Sequence, residues 1–187
     1  MRIITGAYRG RTLRSAEGPG FRPAMGKVRE ALFSMLEAKE PDWPRVRVLD
    51  LYAGSGSLGF ESLSRGAAFV CFVESESYAA KVIAANAELL AIAPQRCDIR
   101  QEDVSRFLAR RPALPFSLVF IDPPYALDSL GATLAALLKN GWISPDGIIN
   151  AEVEKRSRFA PDAAPAGLNL TADRTYGQTR VLIWNAN

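Results

Sequence analysis

Residues 46–59 read VRVLDLYAGSGSLG. A short apolar run ends on Leu51, carries an acid at Asp50 and passes into Gly54-x-Gly56-x-x-Gly59. Glycines at such a turn let the backbone approach a ligand, and the helix that follows offers its free amides to it. Strand, glycine turn and helix in this order predict the first unit of an open α/β sheet.

The pattern continues outward. "FVCFVE" (69–74), "CDIRQ" (97–101), "FSLVFID" (116–122) and "GIINAEV" (147–153) read as strands. Between them lie helical stretches at 57–66, 77–91, 104–111 and 127–140, with Ser77 expected as an N-cap and Gly141 at a C-terminal cap. Strands alternating with helices predict a mainly parallel sheet covered on both faces. The tail "LNLTADRTYGQTRVLIWN" departs from this, reading as a hairpin around "RTYGQT". Upstream, "RIITGAYRGRTLRS" predicts a short hairpin and 24–40 a helix with Val28, Ala31, Leu32, Met35 and Leu36 on one face. "PDWP" (41–44) reads as a linker, which divides the chain into an extension, 1–44, and a main domain, 45–187.

The 187 residues suit one domain with a small appendage, and 48% apolar with 23% charged residues is an ordinary globular balance. There is no histidine, which removes the usual general base and nitrogen metal ligand; no metal is expected. The two cysteines, Cys71 and Cys97, make a poor disulfide framework. With no apolar leader in the opening residues and no membrane-spanning run, a cytoplasmic protein is expected. The net charge of +3 is uneven: residues 1–29 hold seven basic side chains and one acid, about +6, which leaves about −3 elsewhere. A basic arm of this kind suits a polyanion such as RNA, and equally a solvated surface.

Glu74 ends the second strand, where an acid can accept both hydroxyls of a ribose. NAD and S-adenosylmethionine both carry that ribose. Asp50 leans toward the second, because it would repel a pyrophosphate but can hold the ammonium of a methionine moiety. Asp103 can accept from an adenine amine while the amide of Val104 donates to the ring; it can equally cap the next helix.

At the end of the fourth strand stands Asp122-Pro123-Pro124-Tyr125. The prolines fix φ and carry no N–H, so the segment presents acceptors only. Tyr125 offers a flat face for stacking. Such a group fits an exocyclic amine on a planar ring. Gripping its two N–H bonds, from the Asp122 carboxylate and the Pro123 carbonyl, turns the nitrogen lone pair toward an electrophile and disperses developing charge.

These motifs, with "RIITGAYRGRTL", "RPAMGKVREALFSML" and "RTYGQT", resemble the bacterial 16S ribosomal RNA guanine-N2 methyltransferase family, small-subunit methyltransferase D, over nearly the whole chain. The resemblance implies a Rossmann-like S-adenosylmethionine-dependent fold with a seven-stranded sheet and methylation of the N2 amine of one guanine in 16S rRNA, free or in an assembling small subunit. Carried over, Asp50, Gly54, Ser55, Gly56, Glu74, Asp103 and Val104 hold the cofactor. Asp122, Pro123, Pro124 and Tyr125 are catalytic. Arg2, Arg9, Arg11, Arg22, Lys27 and Arg29 meet RNA. The loop departs from the family, which usually has Arg-Pro-Thr and Asp-Arg where this chain has Arg22-Pro23-Ala24 and Gly26-Lys27; Lys27 keeps the charge without the bidentate fork. The alternatives are a DNA or protein-glutamine N-methyltransferase, an NAD-dependent oxidoreductase, and a non-catalytic RNA-binding assembly factor.

Overall fold

The computed structural model describes residues 1–16, 25–123, 129–157 and 159–187. In chain order it contains α1 (Met25–Glu37), β1 (Arg47–Leu51), α2 (Ser57–Arg65), β2 (Phe69–Glu74), α3 (Ser77–Leu89), β3 (Cys97–Gln101), α4 (Val104–Leu108), β4 (Phe116–Ile121), α5 (Leu130–Lys139) and β5 (Ile143–Glu154). β6 (Leu168–Tyr176) and β7 (Thr179–Ala186) follow as a hairpin. All seven strands form one sheet in the order β3-β2-β1-β4-β5-β7-β6. The first five pair in parallel; β7 runs antiparallel to β5, and β6 to β7. This is the expected Rossmann-like α/β architecture with an antiparallel C-terminal hairpin.

The parallel strands are apolar on both faces because helices cover both. On one face Val48, Phe72, Leu118 and Phe120 pack with Leu32, Phe33 and Leu36 of α1. The Phe33 and Phe120 rings lie 5.9 Å apart. On the other face Leu49, Val73, Val119 and Ile121 pack with Phe107 of α4 and with Leu134 and Leu137 of α5. The helix of the N-terminal extension therefore fills the same core as the central strands.

The segment 2–15 folds back as the expected short hairpin: Arg2 and Thr12 form an antiparallel bridge, and Ile3 N donates to Arg11 O at 3.0 Å, Gly10 N to Ile3 O at 2.9 Å and Leu13 N to Met1 O at 2.6 Å. Its amides turn toward α2: Ala7 N donates to Ser64 O at 2.7 Å, and Ile4 N and Thr5 N donate to the Glu61 carboxylate at 2.8 and 3.1 Å. A strand partner is unnecessary when a buried carboxylate satisfies those donors. Two helix ends differ from expectation. Glu76, not Ser77, occupies the N-cap position of α3, with no capping bond from its side chain. α4 stops at Leu108, whose carbonyl is taken by Trp142 Nε1 at 3.1 Å and Asn140 Nδ2 at 2.8 Å. At the end of α5 Gly141 has φ 72° and its amide returns to Leu138 O, a glycine-terminated helix end.

Candidate active site

The strand order reverses between β1 and β4, so a crevice opens beyond their carboxyl ends, where open α/β sheets bind ligands. The glycine turn lies there. Gly54 and Gly56 adopt φ of 56° and 79°, a region that favours glycine. Gly59 has a different reason. A Cβ at this position would stand 2.2 Å from Cε1 of Phe72 and 2.8 Å from Cγ1 of Val70. The third glycine therefore sets how closely α2 packs on β2.

Two carboxylates hold the turn in place. Asp50 is 2% exposed and its Oδ2 accepts from Gly59 N at 2.9 Å. Glu74 accepts from Gly54 N and from Glu76 N, both at 2.8 Å. Asn86 of α3, fully buried, donates through Nδ2 to Ser55 O at 3.2 Å. The same side chain accepts from Arg14 N at 2.8 Å and donates to Arg14 O at 3.0 Å, tying the N-terminal arm to the turn.

Asp122 stands one residue beyond the end of β4, partly open to solvent, with Pro123 buried beside it. Pro124 and Tyr125 lie outside the described residues. On β5, Ala151 pairs with Ile121, and Glu152 follows it. Glu152 is 9% exposed and is electrostatically coupled to Asp122 and Asp50. Burial pushes the Asp50 carboxyl well above the usual carboxylate range, and Asp122 and Glu74 push it further, against the hydrogen bond from Gly59. Burial raises Asp122 to about 6. Burial, then repulsion by Asp122 and Asp50, raises Glu152 to about 8, while Arg29 opposes the rise. The crevice is thus a pocket of mutually repelling acids. It disfavours a pyrophosphate and suits a cationic ligand or a row of N–H donors.

Other expected residues divide. Asp103 caps α4: its Oδ1 accepts from Ser105 N at 2.8 Å and Arg106 N at 3.2 Å. The bond from the Ser105 side chain, then that from Arg106 N, lowers its pKa. Val104, the first residue of α4, is buried. Arg2, Arg9, Arg11 and Lys27 are exposed, with Arg11 donating to Leu89 O at 2.7 Å; Arg22 lies outside the described residues. Arg29 corrects an expectation. It is 5% exposed, donates to Arg2 O at 2.7 Å and to the Met1 sulfur, and faces Glu61 and Glu152. It is a buried cation facing two acids, and it presents little of its guanidinium to an RNA phosphate. The signal lay in the spacing: Arg29 stands three and four residues before Leu32 and Phe33, on the apolar face of the helix.

Sequence reasoning did not single out Glu152, Asn86 or Glu61. Each is a polar residue inside an apolar stretch, "IINAEV", "VIAANAELL" and "SLGFESL". A polar residue on a core-facing position is the signal that could have found them, since burial demands a partner.

A seven-stranded Rossmann-like sheet with an acid-lined crevice at its switch point defines a cofactor-binding α/β protein of the methyltransferase type. Residues 1–185 match the family described as conserved hypothetical protein 95, and the chain belongs to that family. Among its relatives, ribosomal RNA small subunit methyltransferase D of Haemophilus influenzae is 34% identical over 178 residues, 95% of this chain and 89% of the relative. The solved structure of the Escherichia coli protein yhhF superposes with a TM-score of 0.85 at 32% identity, covering 100% of this chain and 98% of that one. More distantly, SMU.776, a methyltransferase by its description and solved in complex with SAH, shares the fold with a TM-score of 0.71 at 14% identity, over 96% of this chain and 52% of that one.

Proposed function

We infer that this chain is an S-adenosylmethionine-dependent rRNA methyltransferase, and we propose that its target is the exocyclic N2 amine of a guanine in 16S rRNA, within free RNA or an assembling small subunit. Family membership supports the coarser statement. The observation that carries the finer one is the acceptor character of the crevice. Asp122 and Glu152 are adjacent carboxylates at the ends of neighbouring strands, and Pro123 adds a carbonyl with no N–H beside it. The edge of guanine that bears N2 offers donors at both N1 and N2, whereas adenine has an acceptor at N1.

The residues fit the cofactor chemically. The bound cofactor supplies an electrophilic methyl on a sulfonium centre and carries an ammonium. Asp50 and Glu74, in a cluster whose charges repel, are suited to hold those cationic and ribose groups; in the turn Gly54-Ser55-Gly56, Gly54 leaves open space for the approach and Gly56 packs on Phe60. Asp103 and Val104 remain candidates for the adenine edge.

At the target, Asp122 and the Pro123 carbonyl hold the two N–H bonds and Glu152 receives N1–H. With the cofactor bound, its methyl would pass to the nitrogen these acceptors align, and the Asp122 carboxylate would take one amine proton out to solvent. Tyr125 supplies an aromatic ring, and Pro124 a residue with no N–H, for a base that has left the RNA stack. The extension 1–44 grips phosphates through Arg2, Arg9, Arg11, Arg22 and Lys27, and the protein works in the cytoplasm. Among the described residues no helix is long and apolar enough to cross a membrane.

The decisive experiment maps methylated positions in rRNA from cells with and without the gene, alongside a labelled-methyl assay on rRNA, DNA and protein. One N2-methylguanine lost from 16S rRNA is the expected result. Methyl transfer to DNA or glutamine, NADH binding in place of S-adenosylmethionine, or RNA binding with no methyl incorporation would each replace this reading.

A further inference from the structure

A second pocket lies at the opposite end of the sheet. Arg47 and Phe69 open β1 and β2, Phe116 opens β4, and Trp142 precedes β5. They line a cavity of about 340 Å³ on the face covered by α4 and α5. The crevice is at the carboxyl ends of these strands, and α1 packs on the other face, so a ligand here would touch neither.

Its chemistry is cationic and aromatic together. The Arg47 guanidinium lies over the Phe69 ring at 4.6 Å and the Phe116 ring at 5.2 Å. Arg100 and Arg110 at the rim are paired with Asp98 and Glu102, each at 2.6 Å. Arg47 and Arg111 have no carboxylate partner among the described residues, which leaves the pocket about +2. Arg47 Nε is buried without a hydrogen-bond acceptor, so the positive charge that Arg47 brings to the pocket is left uncompensated. Leu114, 59% exposed, gives the rim an apolar lip. Inorganic anions need no such wall, and apolar ligands need no unpaired arginines. A planar ring bearing a phosphate uses both: the ring packs on Leu114 and the guanidinium planes, and the phosphate takes the arginine forks. The volume is of the size that small-ligand sites occupy.

We propose that this pocket binds a nucleoside monophosphate unit, either as a free nucleotide or as an unpaired residue of RNA. It is independent of the catalytic reading. The test is a fluorescence titration, since Trp142 lines the pocket, with the crevice saturated by SAH. UMP, a hexauridylate and inorganic phosphate are the probes, against the unmodified protein, R111E and R47M. The expected result is saturable quenching by UMP or the hexamer, at least tenfold weaker in both variants and at least tenfold weaker for phosphate. Tighter binding of the hexamer than of UMP by tenfold assigns an RNA residue; equal or weaker binding assigns the free nucleotide. R111E alters an exposed residue and keeps the test valid if R47M fails to fold. No saturable binding by either nucleotide probe, affinities unchanged by R111E, or phosphate binding as tightly as UMP would overturn the proposal.

Discussion

Replacing Glu61 with alanine should loosen the N-terminal arm and lower stability together. Glu61 is 1% exposed. Its carboxylate accepts from Ile4 N at 2.8 Å and Thr5 N at 3.1 Å, and pairs with Arg65 Nη2 at 3.0 Å. Removing it strands two part-buried amides, at about 1–3 kcal/mol each. Arg65 loses one partner but keeps Glu37 at 2.7 Å and its stacking on Phe33 at 4.6 Å, which limits the loss there. The buried Arg29 also loses one of the two acids that favour its charge. The net cost should be ~3–5 kcal/mol, the usual range for breaking a buried ion pair from one side. At roughly 2–4 °C per kcal/mol for a domain of this size, the melting midpoint should fall by about 6–20 °C. E61Q keeps one acceptor oxygen and should cost about half as much. Amide exchange at Ile4 and Thr5 should accelerate in E61A before global unfolding, and RNA affinity should fall with it. A midpoint shift below 2 °C, with protection at Ile4 and Thr5 unchanged, would refute the reasoning.

Other expectations are as direct. G59A forces a Cβ to within 2.2 Å of the buried Phe72 ring and should cost ~1–3 kcal/mol of stability by overpacking, read by denaturant midpoint, with S-adenosylmethionine affinity reduced as the turn shifts. D122A should lower kcat by about 10²–10³, the loss typical for one group stabilising transition-state charge, while calorimetry finds cofactor affinity little changed; near-normal turnover would remove Asp122 from catalysis. The acid cluster also gives a pH signature. Asp122, raised from 3.8 to about 6, and Glu152, raised from 4.5 to about 8, titrate higher folded than unfolded. Their contribution is therefore most favourable below the unfolded values and is lost as pH rises through about 6 and then about 8. The cofactor-free protein should melt lower at pH 8 than at pH 6 by this term. Binding of cationic S-adenosylmethionine, unlike SAH with its uncharged sulfur, should strengthen over that interval with release of protons, seen as a buffer-dependent calorimetric enthalpy. A ratio of the two affinities that is flat with pH would argue against the cluster as the cation's counterpart.

The fold was legible because its signals repeat. Each buried strand is a short apolar run and each helix an amphipathic stretch, so the parallel sheet followed from alternation and the terminal hairpin from "RTYGQT" with its glycine. The glycine turn, the acids at the ends of β1 and β2, and Asp122 beyond β4 were legible for a related reason: an open sheet sends its strand ends to one side, so the last residue of each strand is a statement about the crevice. What escaped was contact across distant segments. Nothing local tells that Glu61 satisfies amides 56 and 57 residues upstream, or that Asn86 joins Arg14 to Ser55. Arg29 shows the same limit in reverse. Counted by charge, it belongs to a polyanion-binding arm; placed in space, it is buried, and its positive charge opposes the rise in Glu152. The arm is then part of the fold's interior. Its helix fills the core against Phe120, its backbone hangs on Glu61, and its buried Arg29 faces Glu152. Arg29 opposes the rise in the Glu152 carboxyl, so R29M should shift the pH dependence of cofactor binding upward, read by calorimetry across pH 6 to 8; an unchanged profile would remove Arg29 from the electrostatics of the crevice.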